Sequence, residues 1–296
     1  MTHYSKPHLT YLEQIKLLQS RGLIIDDIQY ASLKLKHISY YRLSAYFLPF
    51  YEKENIFIKG TTFDEIIDVY HFDKELRNLT FSAIEKIEIF LRTSIAYNFS
   101  KKFDVFGYTK KENFCMKNMD GFSWLIKDVK KESNRTKETF VKHFKSTYTQ
   151  ENLPIWMVVE IISFGSLSKL YSLLCPDIEK EILNGIELSS LVFRNWLHLF
   201  SYIRNISAHH SRLWNRQFVI KAKIPKHKKE FKNMLNDRYI TVAILINYIL
   251  NAIEDTLDYK NELIVLFDKY PNINLKNMGF VNDWQNLTVW NNEGKK

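Results

Sequence analysis

The segment from Phe200 to Arg216 holds the densest group of side chains in this sequence that could do chemistry. Guanidinium, imidazole and amide groups alternate there with apolar residues. The polar members are Arg204, Asn205, His209, His210, Arg212, Asn215 and Arg216. Cleaving RNA without a metal needs a base for the 2′-OH proton, an acid for the leaving 5′-oxygen and a cation to offset charge on the phosphorane. Side chains of these types could meet all three needs.

Each residue type in the segment suits a different step. Histidine can perform either proton transfer, because an imidazole ordinarily titrates near neutral pH. Arginine stays charged and offers a planar fork of donors to phosphate oxygens. Asparagine can orient the phosphate or the imidazole. The expected products carry a 2′,3′-cyclic phosphate and a free 5′-OH, and DNA, which lacks the internal nucleophile, should resist.

The spacing permits a shared site without requiring one. Residues four apart share a face of a helix, so Asn205 and His209 should point the same way. Arg204 lies five positions before His209, about 140° away around the axis of an ideal helix. Its long side chain reaches a common anion if the helix is distorted or a second subunit contributes. The alternative is that Arg204 and His209 are ordinary helix-surface residues.

Helices, rather than strands, are predicted to position this segment. Only 8 Gly and 6 Pro interrupt 296 residues, which favours long helices. Ser189 or Ser190 is predicted to cap the helix that carries the segment. The apolar run Trp156–Ile162 should form a buried helix, and Gly165 should separate it from the next one.

The longest helical pattern opens at Thr62 and Glu65, whose spacing is that of a capping box. Apolar residues then follow a helical period as far as Phe99. Because a single helix of more than 35 residues would be unusual, we expect a break between Arg77 and Ser82.

Two further arginines are candidates for RNA contact. Arg42 lies among tyrosines and phenylalanines, and aromatic rings beside an arginine can stack single-stranded bases. The alternative is an aromatic core with one cation reaching solvent. Arg92 shares a helix face with Glu85 and Glu88. That face is either a polar wall opposite the 200–216 segment or a solvated, salt-bridged surface.

The charge balance indicates an anionic partner. The formal net charge is +9 and the sequence pI about 9.2, which is compatible with nucleic acid, a membrane surface or an acidic protein. The stretch that could track a phosphate backbone contains Lys130, Lys131, Arg135, Lys137, Lys142 and Lys145. A merely solvated lysine face is the alternative.

The cysteines and the apolar runs indicate a cytoplasmic protein. Cys115 and Cys175 are distant in sequence and show no zinc-ligand spacing, so neither a disulfide framework nor a metal site is expected. Val242–Ile253 is too short to span a bilayer, and it contains Asn247 and Asn251. The N-terminus lacks the apolar core of a signal peptide. No membrane partner and no cofactor are predicted.

The 204–216 block, Arg-Asn-Ile-Ser-Ala-His-His-Ser-Arg-Leu-Trp-Asn-Arg, resembles the signature of the Abi-like (abortive infection) family within the HEPN superfamily. The resemblance covers most of the chain. Its other blocks are Tyr40–Tyr46, Glu85–Thr93, Pro154–Met157, Phe164–Lys169 and the less specific Asn277–Phe280.

This resemblance implies an all-helical fold, a bacterial antiphage or toxin–antitoxin role, and an Arg-x4-6-His ribonuclease site often assembled across a homodimer. It implies that Arg204 and His209 are the catalytic pair and that Asn205 is the polar residue following the arginine. One such motif per chain means that two sites need two chains. The predicted substrate-binding residues are His210, Arg212, Arg216, Arg42 and Arg92.

The predicted architecture is an all-α, HEPN-like helical bundle with additional N-terminal helices. Residues 1–58 are predicted to form an N-terminal helical segment, 59–270 the HEPN-like domain and 271–296 an irregular tail. The predicted function is a metal-independent endoribonuclease. One alternative is a non-catalytic protein that binds RNA, for instance a structured RNA, or binds an antitoxin. The other is a helical scaffold whose basic charge serves solubility alone.

Overall fold

The computed structural model describes residues 3, 5, 7–115, 120–225, 228–231 and 234–290. Over these residues the fold is all-α, as predicted, and one small hairpin accompanies the helices. The helices are α1 (Tyr11–Ser20), α2 (Ile28–Ile38), α3 (Tyr40–Ser44), α4 (Phe63–Phe103), α5 (Asp120–Arg135), α6 (Thr139–Thr147), α7 (Ile155–Ile161), α8 (Phe164–Leu173), α9 (Pro176–Ile182), α10 (Ser190–Ala208), α11 (Tyr239–Ala252) and α12 (Tyr259–Lys269). The hairpin pairs β1 (Tyr51–Lys53) with β2 (Ile56–Phe57) in antiparallel fashion.

Helix α4 is continuous over 41 residues, so the predicted break between Arg77 and Ser82 is wrong. The stretch contains neither Gly nor Pro, and its buried residues recur along the whole length. In the middle of the supposed break, Thr80 is fully buried, and its hydroxyl lies 2.6 Å from the Tyr239 hydroxyl. Tertiary packing therefore supports the helix where sequence periodicity is weakest.

Capping side chains begin several helices at the predicted places. The carboxylate of Glu65 accepts the Thr62 N–H at 2.8 Å, and the Thr62 hydroxyl accepts the Glu65 N–H at 3.2 Å. Ser189 caps α10 through the N–H of Val192. The break between α7 and α8, however, lies at Ile162 and Ser163, and Ser163 caps α8. Gly165 is inside α8, so the prediction that it separates two helices is wrong.

The described residues group into two compact units, and the first comprises Met1–Leu76 with Leu266–Ile273. Helices α1 and α2 pack together within it. The rings of Phe47 and Phe57 meet edge to face, and the Tyr46 hydroxyl donates a 2.6 Å hydrogen bond to buried Asp73. Of the aromatic cluster predicted around Arg42, Tyr46 and Phe47 are therefore core, whereas Tyr41 is 89% exposed.

The second unit comprises Arg77–Val265 with Asn274–Lys296. Helix α8 packs against both α10 and α5. Every residue of α11 from Tyr239 to Leu250 is buried. In the tail, Phe280, Trp284 and Trp290 are buried among short 3-10 turns. This grouping by contact does not test the predicted domain boundaries, which stay a prediction.

Cys115 and Cys175 form a disulfide, so the expectation of no disulfide is wrong. The two chain segments lie side by side, since the Cys115 N–H donates to the Leu173 carbonyl at 3.2 Å. Because the two cysteines are 60 residues apart in sequence, their proximity could not be inferred from the sequence alone. Among the described residues, no helix has the length and apolar character to cross a bilayer.

Candidate functional site at the end of helix α10

Helix α10 ends within the candidate segment. Its last residue is Ala208, and His209 is the C-cap residue. The His210 N–H donates to the Ser207 carbonyl at 3.1 Å and the Ser211 N–H to the Ile206 carbonyl at 3.0 Å. These two bonds form a Schellman motif, which places His210 in the left-handed region with φ 55°. Only the first part of the candidate site is therefore helical.

Arg204 is half-buried on α10, and its side chain contacts Glu88, Asn205 and Phe81 among the described residues. Its Nε lies 3.6 Å from Oε2 of Glu88, and its Nη1 makes a long 3.5 Å contact with Oδ1 of Asn205. The guanidinium carbon lies 5.6 Å from the centroid of the Phe81 ring, within range of a cation–π interaction.

Glu88 is the residue that α4 contributes to this site. It is 7% exposed, and its other carboxylate oxygen pairs with Arg92 one helical turn away. Arg92 also donates two 3.1 Å hydrogen bonds to the Ile162 carbonyl. Glu88 therefore does face the candidate segment, as one of the two interpretations of this face predicted. Glu85 is exposed.

Buried polar atoms without a hydrogen-bond partner among the described residues are concentrated in this segment. They include Nε of Arg204, Oγ of Ser207 and Oδ1 of Asn215. Buried polar groups in proteins are nearly always hydrogen-bonded, so exceptions mark positions with another use. Their concentration between residues 204 and 215 singles out this segment.

Asn205 connects Arg204 to His209. Its side-chain oxygen is the atom near Arg204, and its carbonyl accepts the His209 N–H at 3.0 Å. Both Asn205 and His209 are exposed. No described residue hydrogen-bonds the His209 imidazole, so both ring nitrogens are available to a ligand.

The loop after α10 is anchored by buried apolar residues. Leu213, Trp214 and Phe218 are at most 2% exposed, and the Phe218 ring meets Tyr202 of α10 edge to face. Arg212 and Arg216, which are partly exposed, project from this anchored loop. Nη1 of Arg216 donates to the Arg212 carbonyl at 3.0 Å.

The predicted catalytic and substrate-binding residues thus lie in three places. Arg204, Asn205, His209, His210, Arg212 and Arg216 lie at the end of α10 and on its loop. Arg92 has its donors turned to Glu88 and Ile162 and is 12% exposed at its side chain. Arg42 is exposed and belongs to the first unit. Contact of any of them with RNA stays a prediction.

A groove of about 480 Å³ between α8 and α10 has Asn205 among its lining residues. Sequence reasoning missed it. One signal in the sequence was available, because polar residues recur at intervals of four, three and four and so share one face of α10. They are Arg194, His198, Ser201 and Asn205. The partner element α8 could not be read from that recurrence.

Comparison with known proteins identifies one family. The family model described as Abi-like protein matches residues 33–215, a span that includes Glu88 and the whole end of α10. No curated protein and no solved structure matches the chain.

Proposed function

The chain belongs to the Abi-like protein family, a membership that suggests a role in abortive infection, and we propose that it performs this role as a metal-independent endoribonuclease. Arg204 and His209 are the proposed catalytic pair, and the HEPN superfamily is the proposed wider kinship. The 2′-oxygen attacks phosphorus as a base takes its proton, and the 5′-oxygen leaves with a proton from an acid. The products carry a 2′,3′-cyclic phosphate and a 5′-OH.

The observation that carries this proposal is the incomplete hydrogen bonding of Arg204. Its Nε is buried and lacks a hydrogen-bond partner among the described residues, although Glu88 lies 3.6 Å away. One carboxylate facing the two guanidiniums of Arg204 and Arg92 leaves a net charge of about +1. That surplus attracts a phosphate and offsets charge developing on the phosphorane.

His209 supplies the proton transfers in this proposal. Its imidazole is exposed at the end of α10 and has no partner among the described residues. Asn205, one helical turn earlier, is placed to orient a phosphate oxygen beside it. One histidine serves as acid or as base, so the second proton transfer falls to His210 or to a second chain. We propose a homodimer for that reason.

The test is cleavage of tRNA, mRNA and DNA by purified protein in EDTA, with the product ends mapped. RNA should yield 2′,3′-cyclic phosphate ends and DNA should stay intact. His209→Gln and Arg204→Lys should each slow cleavage by at least 100-fold, in keeping with the usual range for a lost proton-transfer group or anion donor, without unfolding the chain. The matched control is His143→Gln, which alters an exposed histidine on α6. A strict metal requirement, or wild-type rates in both variants, would refute the catalytic assignment.

A non-catalytic protein that binds RNA or an antitoxin is the second candidate. The contact of Arg204 with Glu88 favours it, because a guanidinium already paired with a carboxylate has less charge to offer a transition state. This candidate predicts RNA binding that weakens with salt and no cyclic-phosphate product. An acidic protein partner would instead protect Arg212 and Arg216 from chemical modification.

A further inference from the structure

The groove between α8 and α10 has hydroxyl groups on its floor. Ser168 is 7% exposed and Ser201 is 5% exposed, and both line the groove. Neither hydroxyl has a hydrogen-bond partner among the described residues. A Cβ added at Gly165 would lie 3.3 Å from Oγ of Ser201, so the glycine keeps space open beside that hydroxyl. Both serines are thus largely buried side chains whose hydroxyls line the groove and can bind a ligand in it.

Two cationic side chains, Lys169 and Arg194, also line the groove. Lys169 of α8 is exposed, with its Nζ 4.0 Å from the centroid of the Trp124 ring, which restricts where the ammonium points. Arg194 of α10 donates from Nε to buried Glu179 at 2.7 Å. This bond uses one donor of the guanidinium and leaves four for a ligand. No carboxylate is among the described residues that line the groove.

The groove leads to the proposed catalytic site. Its α10 wall runs from Arg194 through His198 and Ser201 to Asn205, a rise of roughly 16 Å along the helix. Asn205 contacts Arg204 at 3.5 Å, and His209 follows one turn later. A chain of phosphates lying in the groove would therefore reach Arg204 and His209 at its end.

We infer that this groove binds the sugar–phosphate backbone of the RNA strand beside the bond to be cut. The inference rests on the proposed function for its choice of RNA. Lys169 and Arg194 bind phosphate oxygens, and the hydroxyls of Ser168 and Ser201 with the amide of Asn205 bind phosphate or ribose 2′-OH. The volume of about 480 Å³ is within the range of pockets for small organic ligands, so the groove holds only a short stretch of one strand.

The test measures binding separately from cleavage. A fluorescent single-stranded RNA oligonucleotide is titrated against the His209→Ala protein, alone and with Lys169→Gln added. The added substitution should weaken binding about tenfold, the usual effect of losing one charge-assisted contact, and lower the salt slope by about 0.7. Ser201→Ala, which changes no charge, should weaken binding without altering the slope. The matched control Lys180→Gln removes an exposed charge on α9 outside the groove and should leave affinity unchanged.

The outcomes separate this inference from the ribonuclease proposal. Unchanged affinity and slope in both groove variants overturn the groove inference, even if the wild type cuts RNA. If the groove variants bind RNA more weakly and the wild type does not cut RNA, the groove inference is supported and the ribonuclease proposal is refuted. A wild-type chain that binds no single-stranded RNA overturns the groove inference.

Discussion

Oε2 of Glu88 lies 3.6 Å from Nε of Arg204, so a buried acid on α4 faces the proposed catalytic cation on α10. The other carboxylate oxygen of Glu88 pairs with Arg92, which is itself bonded to the Ile162 carbonyl. Glu88 is thus held from two sides and in turn fixes the direction of Arg204. The site depends on helix packing as much as on the local spacing of the motif.

Removing the charge of Glu88 should affect both stability and activity. Glu88→Gln retains the shape but leaves Arg92 and Arg204 without a counter-charge, so we expect the free energy of unfolding to fall by about 1–3 kcal/mol. RNA cleavage should slow because Arg204 is no longer oriented. Urea denaturation and initial cleavage rates measure the two effects. The control Glu85→Gln alters an exposed acid three residues earlier and should change neither; a similar loss in both variants would contradict this role for Glu88.

Replacing His210 with glycine should stabilise the fold. His210 adopts φ 55° at the position where a Schellman motif favours glycine. A non-glycine residue in this conformation destabilises the fold by about 1–2 kcal/mol. Glycine removes that strain, but its greater backbone entropy in the unfolded chain offsets part of the gain. We expect His210→Gly to raise the free energy of unfolding by up to about 1 kcal/mol, measured by urea denaturation. His210→Ala keeps the strained conformation and should not stabilise. Equal stabilities of the two variants would show that the backbone conformation has no such cost.

The disulfide should contribute strongly to stability. It closes a loop spanning 60 residues, and in the chain-entropy model such a bond lowers the entropy of the unfolded chain, contributing about 2–4 kcal/mol. Cys175→Ser should therefore lower the melting temperature, and reduction of the wild type with dithiothreitol should do the same. Dithiothreitol should not affect the variant. If reduction leaves the wild-type melting temperature unchanged, the bond contributes nothing.

Stability should fall as the pH falls below about 6.5. Burial, followed by the nearby charges of Lys34 and Lys74, lowers the pKa of His71 from its ordinary value of 6.5. The unfolded chain therefore takes up the His71 proton at a higher pH than the folded chain, and acidification favours unfolding. The contribution of neutral His71 to the free energy of unfolding is fully present above pH 6.5 and is lost as the pH falls through the lowered pKa of the folded state. Urea denaturation at successive pH values should show a shallower slope for His71→Gln than for wild type; identical slopes would contradict the assignment.

The local features of the fold could be predicted from sequence. The capping box of Thr62 and Glu65 and the cap at Ser189 depend on residues three positions apart, so the sequence contains all the information needed. The continuity of α4 across Thr80 depends on contact with Tyr239, which is distant in sequence. The pairing of Cys115 with Cys175 is equally non-local. Sequence periodicity could predict none of these long-range contacts.

The candidate site shows the same division. The Arg204–His209 spacing and the shared face of Glu88 and Arg92 were readable as patterns. The end of α10 at Ala208 could not be predicted, because the turn at His209 and His210 is closed by backbone hydrogen bonds that do not depend on their residue types. The groove was missed because it needs Gly165 and Ser168 on a second helix.

Helix α11 is enclosed on every side, since all residues from Tyr239 to Leu250 are buried. Its backbone amides have no route to solvent by local fraying. They should exchange with deuterium only when the surrounding core opens as a unit. The slowest-exchanging hydrogens of the second unit should therefore belong to α11, well apart in sequence from the proposed catalytic residues. Their exchange rate would report the global opening of the second unit.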